Sequence, residues 1–135
     1  MKCYLLDTHI FLNAWGRPEK NGKKITKIFE SDSPKYLSAI SLVEIAQLLE
    51  SKPKEVKINM PLATFFHQAL SDLQVRILEI TPEHAQRFYE IQMIEDHKDQ
   101  YDRTIIAQAA STGFTVLSDD TKFPFYPIEL VSNGL

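Results

Sequence analysis

Apolar positions follow two rhythms along this chain. Short, nearly unbroken apolar runs stand at Tyr4-Leu5-Leu6, Tyr36–Ile40, Val75–Leu78, Thr115–Ser118 and Ile128–Val131. Runs of that length suit strands of a parallel sheet buried on both faces. Between them apolar residues recur three or four apart, the spacing of one helix face. That spacing predicts helices from Thr8 to about Trp15, around Ile25, Ile28 and Phe29, from Leu42 to Leu49 behind an opening Ser41, and from Met60 to Leu73. Two more follow: one after Thr81-Pro82, carrying Ala85, Phe88, Ile91 and Ile94, and one from Asp102 to a stop at Gly113. Gly16 with Pro18, and later Pro53, punctuate the pattern as helix stops, and Thr81 before a proline reads as a cap. Strands alternating with helices predict a parallel α/β sheet. No repeat, low-complexity tract or linker interrupts it, so residues 1–135 are expected to form a single domain.

Composition narrows the function classes. The chain is 44% hydrophobic and 24% charged, as in an ordinary globular domain. No stretch approaches the ~20 apolar residues of a membrane span, and the N-terminus does not read as a signal peptide. One cysteine, Cys3, excludes an internal disulfide, fits a reducing cytoplasm and is expected to be a small buried strand residue. With four scattered histidines it makes a structural zinc site a poor reading. The net charge of −3 does not draw nucleic acid to the whole molecule. From Arg17 to Lys27, however, five basic residues accompany one acid. Such a patch can hold phosphates, and its plainer reading is a solvated loop and helix face.

Four acids carry the chemistry. Asp7 closes the first strand, Glu44 lies just inside a helix, Asp102 opens a helix and Asp120 follows a late strand. In an open parallel sheet, ligands bind beyond the carboxyl ends of strands, so these acids are placed to meet in one pocket. Carboxylates that close repel, and a hard cation such as Mg²⁺ or Mn²⁺ relieves that. Each acid also has a local explanation. Glu44 completes a capping box with Ser41, Asp102 is an N-cap and Asp120 a turn residue. Asp7 is harder to explain away, because a carboxylate at the end of a buried strand is costly unless paired, hydrogen-bonded or metal-bound. Asp99, three residues before Asp102, can face the same side, and a helix N-terminus favours their negative charge. His97 is near enough in sequence to touch phosphate, and Arg103 to neutralise the acids or reach a phosphate; a surface ion pair is the plainer role for Arg103. His9 either faces the pocket or packs, while His67 and His84 read as helix-surface residues. Trp15, Phe65, Phe66 and Phe88 read as core.

With these residues in view, the chain resembles the PIN domain, and within it the VapC-type toxin ribonucleases. Leu5-Leu6-Asp7-Thr8-His9 is similar to the family's opening strand and first acid, and Ser41-Leu42-Val43-Glu44-Ile45 to its second acid. The stretch from His97 through Asp99, Asp102 and Arg103 to Ala109 resembles the pattern H-x-D-P-F-D-R-x-L-I-A-Q-A, and Val116 to Phe123 its closing strand and last acid. Gln100 and Tyr101 replace the usual Pro and Phe, which implies altered loop packing and intact chemistry. Asp119 stands beside Asp120, and register with Ser118 and Phe123 favours Asp120 as the last acid.

The resemblance implies a three-layer α/β/α sandwich around a mostly parallel sheet, and Mg²⁺- or Mn²⁺-dependent cleavage of RNA. It also implies a homodimer and a small antitoxin protein that blocks the site. Asp7, Asp102 and Asp120 would hold the cation, with Glu44 and Asp99 beside them and Thr8 and Ser41 hydrogen-bonding the carboxylates. Three other classes share part of this pattern. A phospho-acceptor receiver domain needs an early acidic pair and a lysine on its last strand. A haloacid-dehalogenase-like phosphatase needs an aspartate where His9 stands. A catalytically degenerate module acting through a protein partner would not need all the acids.

Overall fold

The computed structural model describes residues 1–91 and 97–132. Its centre is a sheet of five parallel strands: β1 (Tyr4–Leu6), β2 (Lys35–Ser38), β3 (Val75–Leu78), β4 (Thr115–Leu117) and β5 (Leu130–Val131), in the order β3-β2-β1-β4-β5. Helices α1 (Thr8–Gly16), α2 (Gly22–Glu30), α3 (Ala39–Ser51), α4 (Leu62–Asp72), α5 (Pro82–Glu90) and α6 (Gln100–Thr112) cover it. This is the α/β/α sandwich expected from the sequence. Among the described residues no helix is long and apolar enough to cross a membrane.

Strand side chains alternate between two cores, because successive Cβ atoms point to opposite faces of a sheet. Leu6, Leu37 and Leu117 join Phe11, Ile25, Ile45 and Phe65 on the face covered by α1 to α4. Leu5 and Val116 join Ile105, Ile106, Ala109 and Phe123 on the face covered by α6. Register holds these rows level: Leu5 pairs with Tyr36 on one side and Val116 on the other. Phe65 is fully buried and meets Phe11 and Trp15 edge-on, at 6.3 and 5.6 Å between ring centres.

Several predicted boundaries move, each for a local reason. The strand expected over Tyr36–Ile40 begins at Lys35 and stops at Ser38, and Ser38, not Ser41, caps α3. Ser38 has extended backbone angles at the strand end, and its hydroxyl accepts from the Ile40 N–H at 3.1 Å. Glu44 therefore lies in the second turn, and the Ser41–Glu44 capping box does not form. Lys35 is buried because its ammonium donates to the Ser31 and Ser33 carbonyls, while desolvation pushes its pKa down. Cys3 lies just before β1 and is only half-buried. The helix expected from Met60 starts at Leu62 behind Pro61. Residues Thr81 and His84 form a reciprocal cap on α5, and Gln108 of α6 donates to the same His84 Nδ1. His84 is consequently buried, not a surface residue. Two donors on Nδ1 put its ring proton on Nε2. Ile94 lies outside the described residues.

Gly113 ends α6 with φ 77°, and a Cβ there would meet nothing within 4 Å. Only backbone strain opposes a side chain. Gly113→Ala is expected to cost about 1–2 kcal/mol in urea unfolding with an unchanged m-value. A variant as stable as the wild type would show that the helix stop does not need the left-handed turn.

Candidate functional site

The carboxyl ends of β1 and β4 are neighbours in the sheet, so the residues that follow them emerge together. Asp7 follows β1; its N–H bonds to the Leu117 carbonyl at 2.9 Å, which carries the strand pairing one residue further. Although Asp7 occupies the cap position of α1, its carboxylate does not cap the helix. It turns to Ser118, whose hydroxyl donates to Asp7 Oδ2 at 2.8 Å. The same Ser118 oxygen accepts from the Asp120 N–H at 3.0 Å. One buried serine thus ties the acid after β1 to the acid after β4. Asp119 points elsewhere, accepting from the Ser132 hydroxyl.

Glu44 reaches the same region from α3. The hydroxyl of Thr8 lies 2.6 Å from Glu44 Oε1 and 2.8 Å from Ser41 Oγ, and all three residues are buried. A hydroxyl has one hydrogen, so the consistent arrangement has Thr8 donating to the carboxylate and accepting from Ser41.

Asp99 and Asp102 arrive together on α6 in different roles. Asp99 is the N-cap, its Oδ1 accepting from the Tyr101 and Asp102 N–H groups. This replaces the reading of Asp102 as the cap. Asp102 lies in the first turn, buried, with Oδ2 3.1 Å from His97 Nε2. The other ring nitrogen of His97 lies 3.0 Å from the Tyr126 hydroxyl. Tyr126 was not anticipated; it sits beyond the Phe123–Phe125 turn, and nothing in its local sequence marks it. Arg103 does not turn to the acids. Its guanidinium lies 4.4 Å over the half-buried Phe88 ring, a cation–π contact.

Electrostatics follows from this crowding. Burial pushes the Asp102 carboxyl up to about 9, reinforced by repulsion from Asp7, Asp99, Asp120 and Glu44. Asp7 is raised chiefly by burial and further by Asp120, while the Ser118 bond and nearby His9 oppose the rise. Glu44 is raised by burial, with Asp7 and Asp99 adding to it and Thr8 opposing. Desolvation lowers His97, so its contact with a protonated Asp102 is a hydrogen bond between neutral groups and not an ion pair.

The oxygen donor set is right for a hard divalent cation. Among the described residues, none of Asp7, Glu44, Asp102 or Asp120 is paired with a lysine or arginine. Uncompensated carboxylates that repel one another are what a cation would neutralise. Among the same residues, no three acids, histidines or cysteines already close on one point as a cage. Instead Asp7 is turned to Ser118, Glu44 to Thr8, Asp102 to His97, and Asp120 Oδ1 accepts from the Lys122 N–H. A cation would have to draw them inward or use their second oxygens.

A family model described as the PIN domain matches residues 4–127. No match was found among curated proteins. Solved structures are similar over nearly the whole chain. VapBC2 from Rickettsia felis, bound to a DNA fragment from its promoter, is 19% identical with a TM-score of 0.69, over 96% of this chain and 97% of that one. A toxin–antitoxin complex from Klebsiella pneumoniae is 20% identical with a TM-score of 0.62, over 96% and 97%. FitAcB from Neisseria gonorrhoeae is 25% identical with a TM-score of 0.62, over 97% and 98%.

A carboxyl that binds its proton more tightly in the fold than in the unfolded chain stabilises the fold while protonated. For Asp102 that contribution is complete below the ordinary value of 3.8 and is lost as pH rises through about 9. With divalent ions chelated, the melting temperature is expected to fall across that window. Asp102→Asn, which keeps a hydrogen-bonding group beside His97 and cannot ionise, should make the fall shallower. An identical slope in thermal melts of the two proteins would remove Asp102 as the responsible group.

Proposed function

The chain belongs to the PIN domain family, and from that premise we propose that it is a metal-dependent endoribonuclease, the toxin of a toxin–antitoxin pair. One observation carries the reading: acids from four separate places in the chain gather with no lysine or arginine partner among the described residues, and burial, with repulsion from the other acids added, raises Asp102 to about 9. The similarity to toxin–antitoxin assemblies supports the antitoxin as a partner. A homodimer and a cytoplasmic location belong to the same proposal.

Asp7, Asp102 and Asp120 would hold Mg²⁺ or Mn²⁺, with Glu44 and Asp99 beside them. When bound, the cation supplies a Lewis acid that makes water a better nucleophile and offsets charge gathering on the phosphate. The protein's own residues supply position. Ser118 fixes Asp7 relative to Asp120, and Thr8 with Ser41 fixes Glu44. His97, steadied by Tyr126, aims Asp102. Asp99, accepting from the Tyr101 and Asp102 N–H groups, fixes the first turn of the helix that carries Asp102. In hydrolysis a water oxygen bonds to phosphorus and one ribose oxygen leaves. Glu44, raised by burial and held by Thr8, is suited to take the proton that the water gives up.

Asp7→Asn preserves size and the ability to bond Ser118 but removes the charge. It is expected to keep the fold and to lower Mg²⁺- or Mn²⁺-dependent cleavage of total RNA by a factor of ~10²–10³ or more, the usual effect of losing one charge-stabilising group. Wild-type turnover in this variant, followed by end-mapping, would take Asp7 out of the mechanism. Cation in hundredfold excess over its dissociation constant should stabilise the wild type by about 2.7 kcal/mol. A melting temperature indifferent to both ions, together with absent cleavage, would leave the degenerate binding module as the function.

A further inference from the structure

Beside the acids lies a second feature of opposite sign. A groove of about 600 Å³ runs from His9 past Trp15 and is bordered by Arg17, Lys20, Lys54 and Lys57. His9 places its near end beside the acids, since it lies in the first turn of α1, two residues after Asp7. The cations come from two separate places: Arg17 and Lys20 from the end of α1 and the turn after it, Lys54 and Lys57 from the loop between α3 and α4. That loop is anchored by buried Val56. All four are exposed, and among the described residues none is engaged in an ion pair. Among the described residues Glu55 is the only acid on the lining.

We propose that this groove is the seat of the single-stranded RNA flanking the scissile phosphate, with Arg17, Lys20, Lys54 and Lys57 on the backbone and Trp15 beneath a base. The inference rests on the nuclease reading and names the part of its site that grips substrate. An acidic pocket on a chain of charge −3 repels a polyanion, so the phosphates next to the cleaved one need cations close by. Unpaired cations around one aromatic ring form the pattern by which single strands are held: backbone by charge, base by stacking. Trp15 is half-buried and braced edge-on against Phe65 at 5.6 Å, which makes its ring a fixed platform. The basic run read from the sequence divides here. Arg17 and Lys20 line the groove, whereas Lys23 and Lys27, equally exposed, do not.

Equilibrium binding separates this proposal from the cleavage chemistry. A short, fluorescein-labelled single-stranded RNA of mixed sequence is titrated with the full chain in EDTA, where turnover is not needed, and read by anisotropy. The emission of Trp15, the chain's one tryptophan, is recorded alongside. Lys54→Glu with Lys57→Glu is expected to weaken binding tenfold or more at about 50 mM salt, and to flatten the slope of log affinity against log salt by about 1.4. Lys23→Glu with Lys27→Glu makes the same change in charge away from the groove and should weaken binding less than threefold. RNA should quench the tryptophan. Equal weakening by the two pairs, or unquenched emission, would overturn the proposal and leave the groove to a protein partner. Neither result touches the Asp7→Asn cleavage test, so the two readings fail separately.

Discussion

Burying several carboxylates together without a basic partner is the constraint on which the rest of this molecule turns. Desolvation raises the proton affinity of Asp7, Glu44 and Asp102, and repulsion among the acids adds to it, with Asp102 pushed up to about 9. A lysine or arginine within the pocket would have removed that tension. The described residues provide none, and they send Arg103 to the face of Phe88. In the proposed nuclease a cation from outside the chain would supply that missing positive charge.

Neutral donors take over the work that cations would otherwise do. Ser118 spans Asp7 and Asp120, Thr8 joins Ser41 to Glu44, and His97 couples Asp102 to Tyr126. Each bond gives a buried acid a polar partner without bringing in a cation. They also reach across the fold. Ser118 is 111 residues from Asp7, and Thr8 is 36 from Glu44. The site therefore depends on the sheet being assembled, and the sheet order places β1 at its centre, between β2 and β4.

Charge is sorted in space to the same end. The acids gather near the strand ends, and the cations of the neighbouring groove, in no ion pair among the described residues, stand apart from them, with His9 of the first turn of α1 on the groove's lining. On the proposed function, a molecule of modest net negative charge would present a positive approach to a polyanion beside a centre that takes a cation.

Much of this was legible in the residues. Apolar runs separated by helical spacing specified a parallel α/β sheet, because strand and helix periods differ and each must bury its apolar side. Asp7 stood out because a charge at the end of a buried strand demands an explanation. Other features could not be read. Two serines competed to cap α3, and Ser38 took the cap because it alone sits extended at the strand end. His84 looked like a surface residue until α6 brought Gln108 against it. Tyr126 and the joining of Lys54 and Lys57 to Arg17 and Lys20 are products of tertiary packing. Local sequence determined which residues carry charge and which elements form, since those depend on neighbours a few positions away. The bridge at Ser118, the partner of His97 and the assembly of the groove were decided only by the fold, since they join residues far apart in sequence that packing alone brings together.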